Sequence, residues 1–280
     1  MQNIVAVIFD FDDTLAPDST SSFLERQGFN VKAFWKSVDP LLADGWDTVP
    51  AYMFRMLQES QKRTTKPFTK KNFETHGRSL KPFAGVTTIF NRIRKNVASI
   101  CPAAEVEFYV ISSGILTTLR ASKLAKHFTE MWASDFHYGP NGEIVFPKSI
   151  VSFTDKTRYL FQISKGITGE ATRGKPFEVN RKHDPSRLRI PLNNMVYVGD
   201  GYTDIPCFSL LKKYNGIPIG VYDRKNREKW GRAWGFTEDG RVSNLVPADY
   251  GKSSALADSL LMATEAIAQR IKLAGQSYQG

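Results

Sequence analysis

The stretch IVAVIFDFDDTLAP, residues 4 to 17, begins with six apolar residues and then places three carboxylates within four positions. An apolar run of this length, rich in β-branched and aromatic side chains, is typical of a strand covered on both faces of a parallel sheet. Asp10, Asp12 and Asp13 therefore follow the carboxyl end of a buried strand. Because ligands of open parallel sheets bind beyond these ends, the stretch predicts the position of a site as well as a fold.

Three later stretches repeat the pattern of an apolar strand followed by a polar residue, and segments with helical spacing lie between them. Strands that alternate with helices predict βαβ units. We therefore expect an α/β fold whose core is a Rossmann-like parallel sheet. The later strands are VEFYVI (106–111) before Ser112, MVYVG (195–199) before Asp200 and IPIGVY (217–222) before Asp223, and the helical segments are 117–129, 157–164 and 204–213.

The segment 17–83, between the first two strands, carries aromatic and charged residues at helical spacing. It is too long for a simple crossover, so we predict a small α-helical cap domain inserted after the first strand. Residues 1–16 and 84–280 would then form the core domain. The segment 165–191 is rich in Gly, Pro, Arg and Lys, which indicates a long irregular surface loop.

The composition narrows the class of protein. With 280 residues, 41% hydrophobic and 24% charged, the chain has enough length for a large core. No apolar run approaches the roughly 20 residues needed to cross a bilayer, and the N-terminus lacks the pattern of a signal peptide, so we expect a cytoplasmic protein with no membrane partner. Cys101 and Cys207 lack the spacing of a zinc site, which favours reduced thiols. The net charge of +10 indicates either an anionic partner or a solvated basic surface.

The carboxylates suggest a metal site. On an extended chain Asp10 and Asp12 point to the same side while Asp13 turns away. Mg²⁺ prefers oxygen ligands and commonly binds through one or two carboxylates and a substrate phosphate, which leaves one carboxylate free as a nucleophile. The motif GDGYTD adds Asp200 and Asp204 at the end of another strand and favours a divalent-metal site. The alternative is that Asp12 or Asp13 only caps a turn or helix.

Two further features suit a phosphate. Ser112, Ser113 and Gly114 offer hydroxyls and backbone N–H groups where we expect a helix to start, although an N-cap explains the serines equally well. Lys156, near the start of DKTRYLFQIS, could balance the charge of the carboxylates and a phosphate dianion. A solvated lysine next to an N-cap Asp155 is the alternative for that position.

Taken in order, FDFDDTL, VISSG, DKTRYL and GDGYTD resemble the four signature motifs of the haloacid dehalogenase-like (HAD) phosphohydrolase superfamily. The resemblance spans most of the chain. It implies that Asp10 is the nucleophile that forms an aspartyl-phosphate and that Asp12 is the general acid and base. It also implies that Ser112 binds the phosphoryl group and that Lys156 stabilises the nucleophile and the phosphate. Lys148, in FPKSIV, is a rival for the lysine role whose context matches the family motif less well.

The same resemblance implies a Mg²⁺ cofactor. Its ligands would be Asp10, Asp200 and the main-chain carbonyl of Asp12, and Asp204 would orient Lys156 or a metal-bound water. The presence of Asp12 also argues against a dehalogenase, because a halide leaving group needs no proton whereas an alkoxide does. We therefore expect a phosphate monoester as substrate.

The helical insert resembles the cap of the phosphoserine phosphatase-like branch. That branch recognises its amino-acid substrate through a glutamate near the position where this chain has Ser19, so we expect no preference for phosphoserine. Arg55 falls at about the spacing of the branch's cap arginine. We predict that Arg55 and Tyr52 select the leaving group, beside Ser113 and Gly114 at the phosphate; a place on an exposed helix face is the alternative for Arg55.

These features together predict a Mg²⁺-dependent phosphatase that acts on a small phosphorylated metabolite. A phosphotransferase or mutase would use the same aspartyl-phosphate, and the sequence does not separate these reactions. A protein that binds nucleic-acid ends or another polyanion is a further alternative. It is less favoured, because the basic segment 171–189 lacks a regular aromatic platform on which bases could stack.

Overall fold

The structure is a computed structural model that describes residues 2–62, 66–170, 174–175, 177–224, 235, 237 and 239–276. Strands and helices alternate along most of this part of the chain. The strands are β1 (Ile4–Phe9), β2 (Glu105–Ile115), β3 (Glu130–Tyr138), β4 (Ile144–Ser149), β5 (Met195–Gly199), β6 (Ile217–Tyr222) and β7 (Asn244–Pro247). The helices are α1 (Ser19–Arg26), α2 (Val31–Ala43), α3 (Thr48–Gln61), α4 (Lys70–Ser79), α5 (Val86–Ile100), α6 (Leu116–Ala121), α7 (Asp155–Lys165), α8 (Ile205–Lys213) and α9 (Ala255–Gln276).

The strands form one sheet in the order β4-β3-β2-β1-β5-β6-β7. All neighbouring strands run parallel except β3 and β4, which are antiparallel. The predicted α/β fold is confirmed, and β1, β2, β5 and β6 are the four strands that the apolar runs indicated. Because β1 lies between β2 and β5, the polar residues that follow these three strands meet at one edge of the sheet.

Both faces of β1 are covered, which explains its uninterrupted apolar sequence. Val5, Val7 and Phe9 point into the layer that contains α5 and α9. Ile4 and Ile8 point into the opposite layer, which contains α7 and α8. Burying each side chain of this size stabilises the fold by about 1.5–3 kcal/mol relative to leaving it exposed. The strand that carries the site is therefore anchored from both sides.

The chain between β1 and α5 contains four helices, α1 to α4. Their apolar side chains form a third cluster, which includes Phe23, Phe34 and Phe73. The cluster also takes in Ile115 from β2 and Phe136 from β3, so the helices pack onto one end of the sheet. The insert is helical as its spacing indicated, and we refer to α1–α4 as the cap. The cap boundaries at residues 17 and 83 stay a prediction.

One sequence-based assignment differs from the structure in extent, and a second, the irregular loop, has the expected character in its described part. The segment 117–129 is an α-helix only to Ala121, because Ser122 adopts an extended conformation and a short 3₁₀ turn follows at Ala125–His127. The described part of 165–191 contains only 3₁₀ turns after the end of α7, as an irregular loop would, and residues 171–173 and 176 lie outside the described residues. No helix in the described ranges is long and apolar enough to span a membrane.

A close approach of two helices generates a first prediction. A Cβ atom at Gly77, inside α4, would lie 2.1 Å from the Thr118 carbonyl oxygen in α6. Alanine normally stabilises a helix interior by about 1 kcal/mol relative to glycine. We expect Gly77→Ala instead to lower the free energy of unfolding by about 1–3 kcal/mol, because the helices must separate. Chemical denaturation measures the change.

The matched control is Gly275→Ala near the end of α9, where a Cβ would meet no atom within 4 Å. This control should leave stability unchanged or raise it slightly. A Gly77→Ala protein as stable as this control would show that the α4–α6 contact relaxes without cost.

Candidate active site

Asp10 continues β1 into the edge of the sheet where the polar residues meet. Its backbone N–H donates to the Val198 carbonyl of β5 at 2.8 Å, which keeps the chain in register with that strand. The residue is only 6% exposed. One carboxylate oxygen, Oδ1, accepts from the Phe11 N–H at 2.7 Å, and Oδ2 lies 3.1 Å from the Lys156 ammonium. The predicted nucleophile is therefore buried, oriented and ion-paired.

Lys156 is fully buried in the first turn of α7 and pairs with two carboxylates. Besides its contact with Asp10, its Nζ donates to Asp204 Oδ1 at 2.7 Å. The two carboxylates raise the pKa of Lys156 despite the opposing effect of burial, so its charge is retained. Lys156 thus occupies the position expected of the site lysine. The rival Lys148 lies on β4. Its positive charge there opposes the burial that raises the pKa of Asp135.

Asp204 is fully buried and holds Lys156 in place with several hydrogen bonds. Its Oδ1 also accepts from the Tyr197 hydroxyl at 2.7 Å, and its Oδ2 accepts from the Gly201 N–H at 3.1 Å. A Cβ at Gly199 would lie 2.4 Å from the Asp204 carboxylate, so only glycine leaves room for it. These contacts fit the predicted role of Asp204 in orienting Lys156.

Three carboxylates form a group that could hold a cation. One oxygen each of Asp10, Asp200 and Asp204 lie within 4.8 Å of one another. With Lys156 beside them, these groups carry a net charge of −2 when all are ionised. An all-oxygen donor set with excess negative charge suits a hard divalent cation such as Mg²⁺. The Asp12 carboxylate, which was also predicted at the metal, is not in this group, and only its main-chain carbonyl remains as a candidate ligand.

Asp12 lies in the turn that follows β1. Its Oδ1 accepts from the Ser19 N–H at 2.8 Å. Burial, followed by the nearby charge of Asp18, raises the pKa of Asp12 well above its ordinary value. Asp13 has a left-handed conformation with φ of +55°, which takes the chain away from the extended path. A protonated Asp12 carboxyl beside Asp10 is the state that a general acid requires.

The serine motif differs from its predicted setting. Ser112 and Ser113 do not start a helix, because they belong to the end of β2 and α6 begins only at Leu116. The β2–β3 pairing shifts register between Ser112 and Ile115, so Ser113 and Gly114 form a bulge outside the regular ladder. β-Bulges re-aim side chains in this way and are common next to active sites.

The bulge faces Asp12. The Gly114 N–H donates to the Ser112 hydroxyl at 3.0 Å, and a Cβ at Gly114 would lie 2.6 Å from Asp12 Oδ2. A side chain at position 114 would thus displace the Asp12 carboxylate. A bulge, and not a helix, thus brings the predicted phosphate-binding residues next to the aspartates that follow β1. These residues are Ser112, Ser113 and Gly114.

Of the two predicted cap residues, the structure brings one to the site. The Tyr52 hydroxyl of α3 donates to the Ser113 carbonyl at 2.6 Å, and its pKa is raised by burial and by the charge of Asp12. Arg55 instead joins α3 to α2: its Nε donates to the Ser37 carbonyl at 2.8 Å and one terminal nitrogen donates to Gln58 at 2.7 Å. These contacts place its guanidinium between two helices of the cap, and contact of Arg55 with a substrate stays a prediction.

No protein-family model matches the chain. An uncharacterized protein of Borreliella burgdorferi is 26% identical over 283 residues, which cover 91% of this chain and 94% of that protein. A HAD-family hydrolase, t0658, of Salmonella enterica serovar Typhi superimposes with a TM-score of 0.61 at 14% identity, covering 93% of this chain and 71% of that one. A phosphoserine phosphatase solved as a phospho-aspartyl intermediate analogue gives 0.56 at 15% identity, covering 92% and 98%.

The chain has a haloacid dehalogenase-like fold of the phosphoserine phosphatase-like type. A probable phosphoserine phosphatase of Vibrio cholerae agrees, with a TM-score of 0.57 at 11% identity over 96% of this chain and 67% of that one. At these identities the likeness shows the fold, and the chemistry of the HAD-like site depends on the residues described above.

Two polar residues of this HAD-like site were missed by the sequence analysis. Tyr197 is a tyrosine in the middle of the apolar strand MVYVG, and its hydroxyl needs a buried partner, which is a signal that the sequence did contain. His76 hydrogen-bonds to the Ser19 carbonyl from α4. Its 57-residue separation from Ser19 gave no sequence signal.

The burial of Asp10 generates a second prediction. Burial is the main cause that raises its pKa from 3.8 to about 6, and Lys156 opposes this only in part. The folded protein therefore binds this proton more tightly than the unfolded chain does. Ionisation of Asp10 therefore lowers the free energy of unfolding. This loss is absent below about pH 4 and complete above about pH 6. We expect Asp10→Asn to stabilise the metal-free protein at pH 7–8 by roughly 1–3 kcal/mol.

Urea denaturation in EDTA at several pH values measures this effect, and the gain should shrink as the pH falls from 7 toward 4. Asp39→Asn, at an exposed position of α2, is the control and should show no such dependence. Destabilisation by Asp10→Asn at pH 7–8 would mean that its ion pair with Lys156 outweighs the cost of burial.

Proposed function

We propose that the protein is a Mg²⁺-dependent phosphatase that hydrolyses a small phosphate monoester through an aspartyl-phosphate. The observation that carries this proposal is the pairing of a buried, lysine-bound Asp10 with an Asp12 carboxyl of raised pKa on the same turn. One carboxylate is thereby favoured as a nucleophile and the other as a proton donor, which is the division of roles that such a reaction needs.

In the first step an Asp10 carboxylate oxygen attacks the phosphorus atom, and the bond from phosphorus to the leaving-group oxygen breaks. Lys156 lies 3.1 Å from Asp10 Oδ2 and favours the ionised form of the nucleophile. Asp12 gives its proton to the departing alkoxide. The hydrogen bond from the Ser19 N–H holds the Asp12 carboxyl in one orientation during this transfer.

In the second step Asp12 acts as a base. It removes a proton from a water molecule, which attacks the phosphorus atom of the aspartyl-phosphate. The bond between phosphorus and Asp10 breaks, inorganic phosphate leaves and both carboxyl groups return to their starting states. The position of Asp12 beside the bulge, next to Gly114, supports its access to both the leaving group and the water.

Phosphoryl oxygens would be bound by groups from three elements. Ser112 supplies a hydroxyl, the bulge at Ser113 and Gly114 supplies backbone groups outside the sheet ladder, and Lys156 supplies positive charge. Asp10, Asp200 and the Asp12 carbonyl would hold Mg²⁺, which when bound supplies positive charge to the phosphoryl oxygens. The excess negative charge of the carboxylate group supports this assignment.

We further propose that the substrate is a small phosphorylated metabolite and that Tyr52 lies beside its leaving group. Tyr52 is buried and hydrogen-bonded to Ser113, which supports a site enclosed by the cap. Transfer of the phosphoryl group to a sugar hydroxyl would use the same residues.

A cytoplasmic location is in keeping with Cys101 and Cys207, both of which are buried free thiols.

The division of roles between the two aspartates generates a third prediction. We expect Asp12→Asn to lower kcat/KM for an alkyl phosphate such as glycerol 2-phosphate by about 10²- to 10⁴-fold, because an alkoxide needs its proton. The loss for p-nitrophenyl phosphate should be much smaller, since p-nitrophenolate leaves without one. Steady-state kinetics with both substrates measure the difference.

Asp10→Asn is the matched control, and it should be inactive toward both substrates because an amide does not attack phosphorus. Circular dichroism would show that both variants are folded. Substantial turnover by folded Asp10→Asn protein would exclude the aspartyl-phosphate, and equal losses for both substrates in Asp12→Asn would exclude Asp12 as the acid.

Metal removal gives a fourth prediction. EDTA should abolish activity, Mg²⁺ should restore it, and Ca²⁺ should restore little, because Ca²⁺ accepts more ligands in looser geometry and would not align the nucleophile. Asp200→Ala should raise the Mg²⁺ concentration needed for half-maximal activity by at least about tenfold. Full activity in metal-free protein would contradict the proposed metal site.

A further inference from the structure

His76 is a buried histidine of the cap that binds the segment carrying Ser19. It lies on α4, is 4% exposed and packs edge-on against the Phe23 ring with 5.8 Å between ring centres. Its Nε2 lies 3.1 Å from the Ser19 carbonyl oxygen and 3.1 Å from the Ser22 hydroxyl. One ring nitrogen thus reaches two residues of α1, across 57 positions in sequence.

The hydrogen bonds of His76 fix its tautomer. A carbonyl oxygen can only accept, so Nε2 carries a proton and donates it to Ser19. The Ser22 hydroxyl donates to the Asp18 carbonyl at 2.8 Å and is free to accept from the same N–H. In the described part of the chain, Nδ1 is buried without a hydrogen-bond partner. Burial also lowers the pKa of His76, which favours this neutral form.

This arrangement costs stability, because a buried nitrogen is left unpaired. An apolar side chain in the same pocket, beside Phe23, would avoid that cost. The benefit of histidine at position 76 must therefore come from its Nε2–H, which is the one polar group with a partner. That partner is the backbone of Ser19.

Ser19 connects His76 to the proposed acid. Its carbonyl accepts from His76 while its N–H donates to Asp12 Oδ1 at 2.8 Å. Ser19 is therefore held from both sides, by the cap helix α4 and by Asp12. Any rotation of the Ser19 backbone would change the direction of its N–H hydrogen bond to the Asp12 carboxyl.

The helix α4 is itself fixed relative to the serine bulge. Gly77, the residue after His76, packs directly onto the backbone of Thr118 in α6. α6 begins at Leu116, two residues after the bulge at Ser113 and Gly114. The position of Asp12 thus depends, through Ser19 and α4, on the segment that runs from the end of β2 into α6. The same segment carries Ser112, the predicted phosphate-binding residue.

We propose that His76 is a positioning residue that, through the Ser19 carbonyl, holds the Asp12 carboxyl in the orientation needed to protonate the leaving group. This inference rests on the proposed phosphatase function and assigns a residue to its first step. His76 does not touch the reacting atoms.

The test compares two amide substitutions at one position. His76→Gln places an amide N–H at about the reach of Nε2, whereas His76→Asn places it nearer the position of Nδ1, where Ser19 is out of reach. Both remove the imidazole ring and both retain a polar amide. His137→Gln, at an exposed position of β3, is a control for the substitution itself.

The readout is kcat/KM for glycerol 2-phosphate and for p-nitrophenyl phosphate, because kcat/KM reports the step in which the leaving group departs. We expect His76→Asn to lose about 10- to 100-fold on glycerol 2-phosphate and less than about threefold on p-nitrophenyl phosphate. His76→Gln should recover most of the loss, and His137→Gln should match the wild-type protein.

If His76 had a purely structural role, its substitution would lower kcat/KM for both substrates by the same factor. The size of this loss would then parallel the loss of thermal stability. Equal losses on the two substrates, or equal defects in the Gln and Asn variants, would overturn the proposal. If His76→Asn fails to fold, the comparison of His76→Gln with His76→Ala decides between the two roles by the same criterion. Wild-type protein that hydrolyses neither ester in Mg²⁺ would instead overturn the proposed function, and this inference with it.

Discussion

The buried ammonium of Lys156 lies between Asp10 and Asp204, and the site is built around this ion triad. A lysine without exposure is tolerated only when its charge is paired and hydrogen-bonded, because its transfer out of water costs several kcal/mol. The pairing requires that β1 and β5 be neighbours and that α7 begin at their carboxyl ends. The sheet order, the small residue at Gly199 and the hydrogen bond from Tyr197 all serve the same requirement.

The charge of the triad and of the neighbouring Asp200 affects which ions the site can bind. Asp10, Asp200 and Asp204 together outweigh the one positive charge of Lys156, so a phosphate dianion would meet net repulsion from these groups alone. A divalent cation removes that repulsion, and cation and phosphate should therefore bind more strongly together than apart. Burial, with a smaller contribution from the charge of Asp204, keeps the pKa of Asp10 high against the opposing charge of Lys156.

The sequence predicted those parts of the molecule that depend on local pattern. β1, β2, β5 and β6 contain mostly apolar runs, and each was found; β4 contains Pro147 and β7 has four residues, so neither has a clear strand pattern. Asp10 and Lys156 were placed together because short motifs carry them. The bulge after Ser112 and the packing of Arg55 against α2 depend on tertiary contacts that no local pattern encodes.

Ser19 shows how one position can serve either recognition or catalysis. In the phosphoserine phosphatase-like branch that the motifs resemble, a glutamate near this position binds the amino group of the substrate. Here the backbone N–H of Ser19 is bonded to Asp12, and its carbonyl is bonded to His76. Arg55, at about the spacing of that branch's cap arginine, is bonded to the Ser37 carbonyl within the cap. Both positions at which the branch binds its substrate thus make contacts inside this protein: one joins Asp12 to α4, and the other joins α3 to α2.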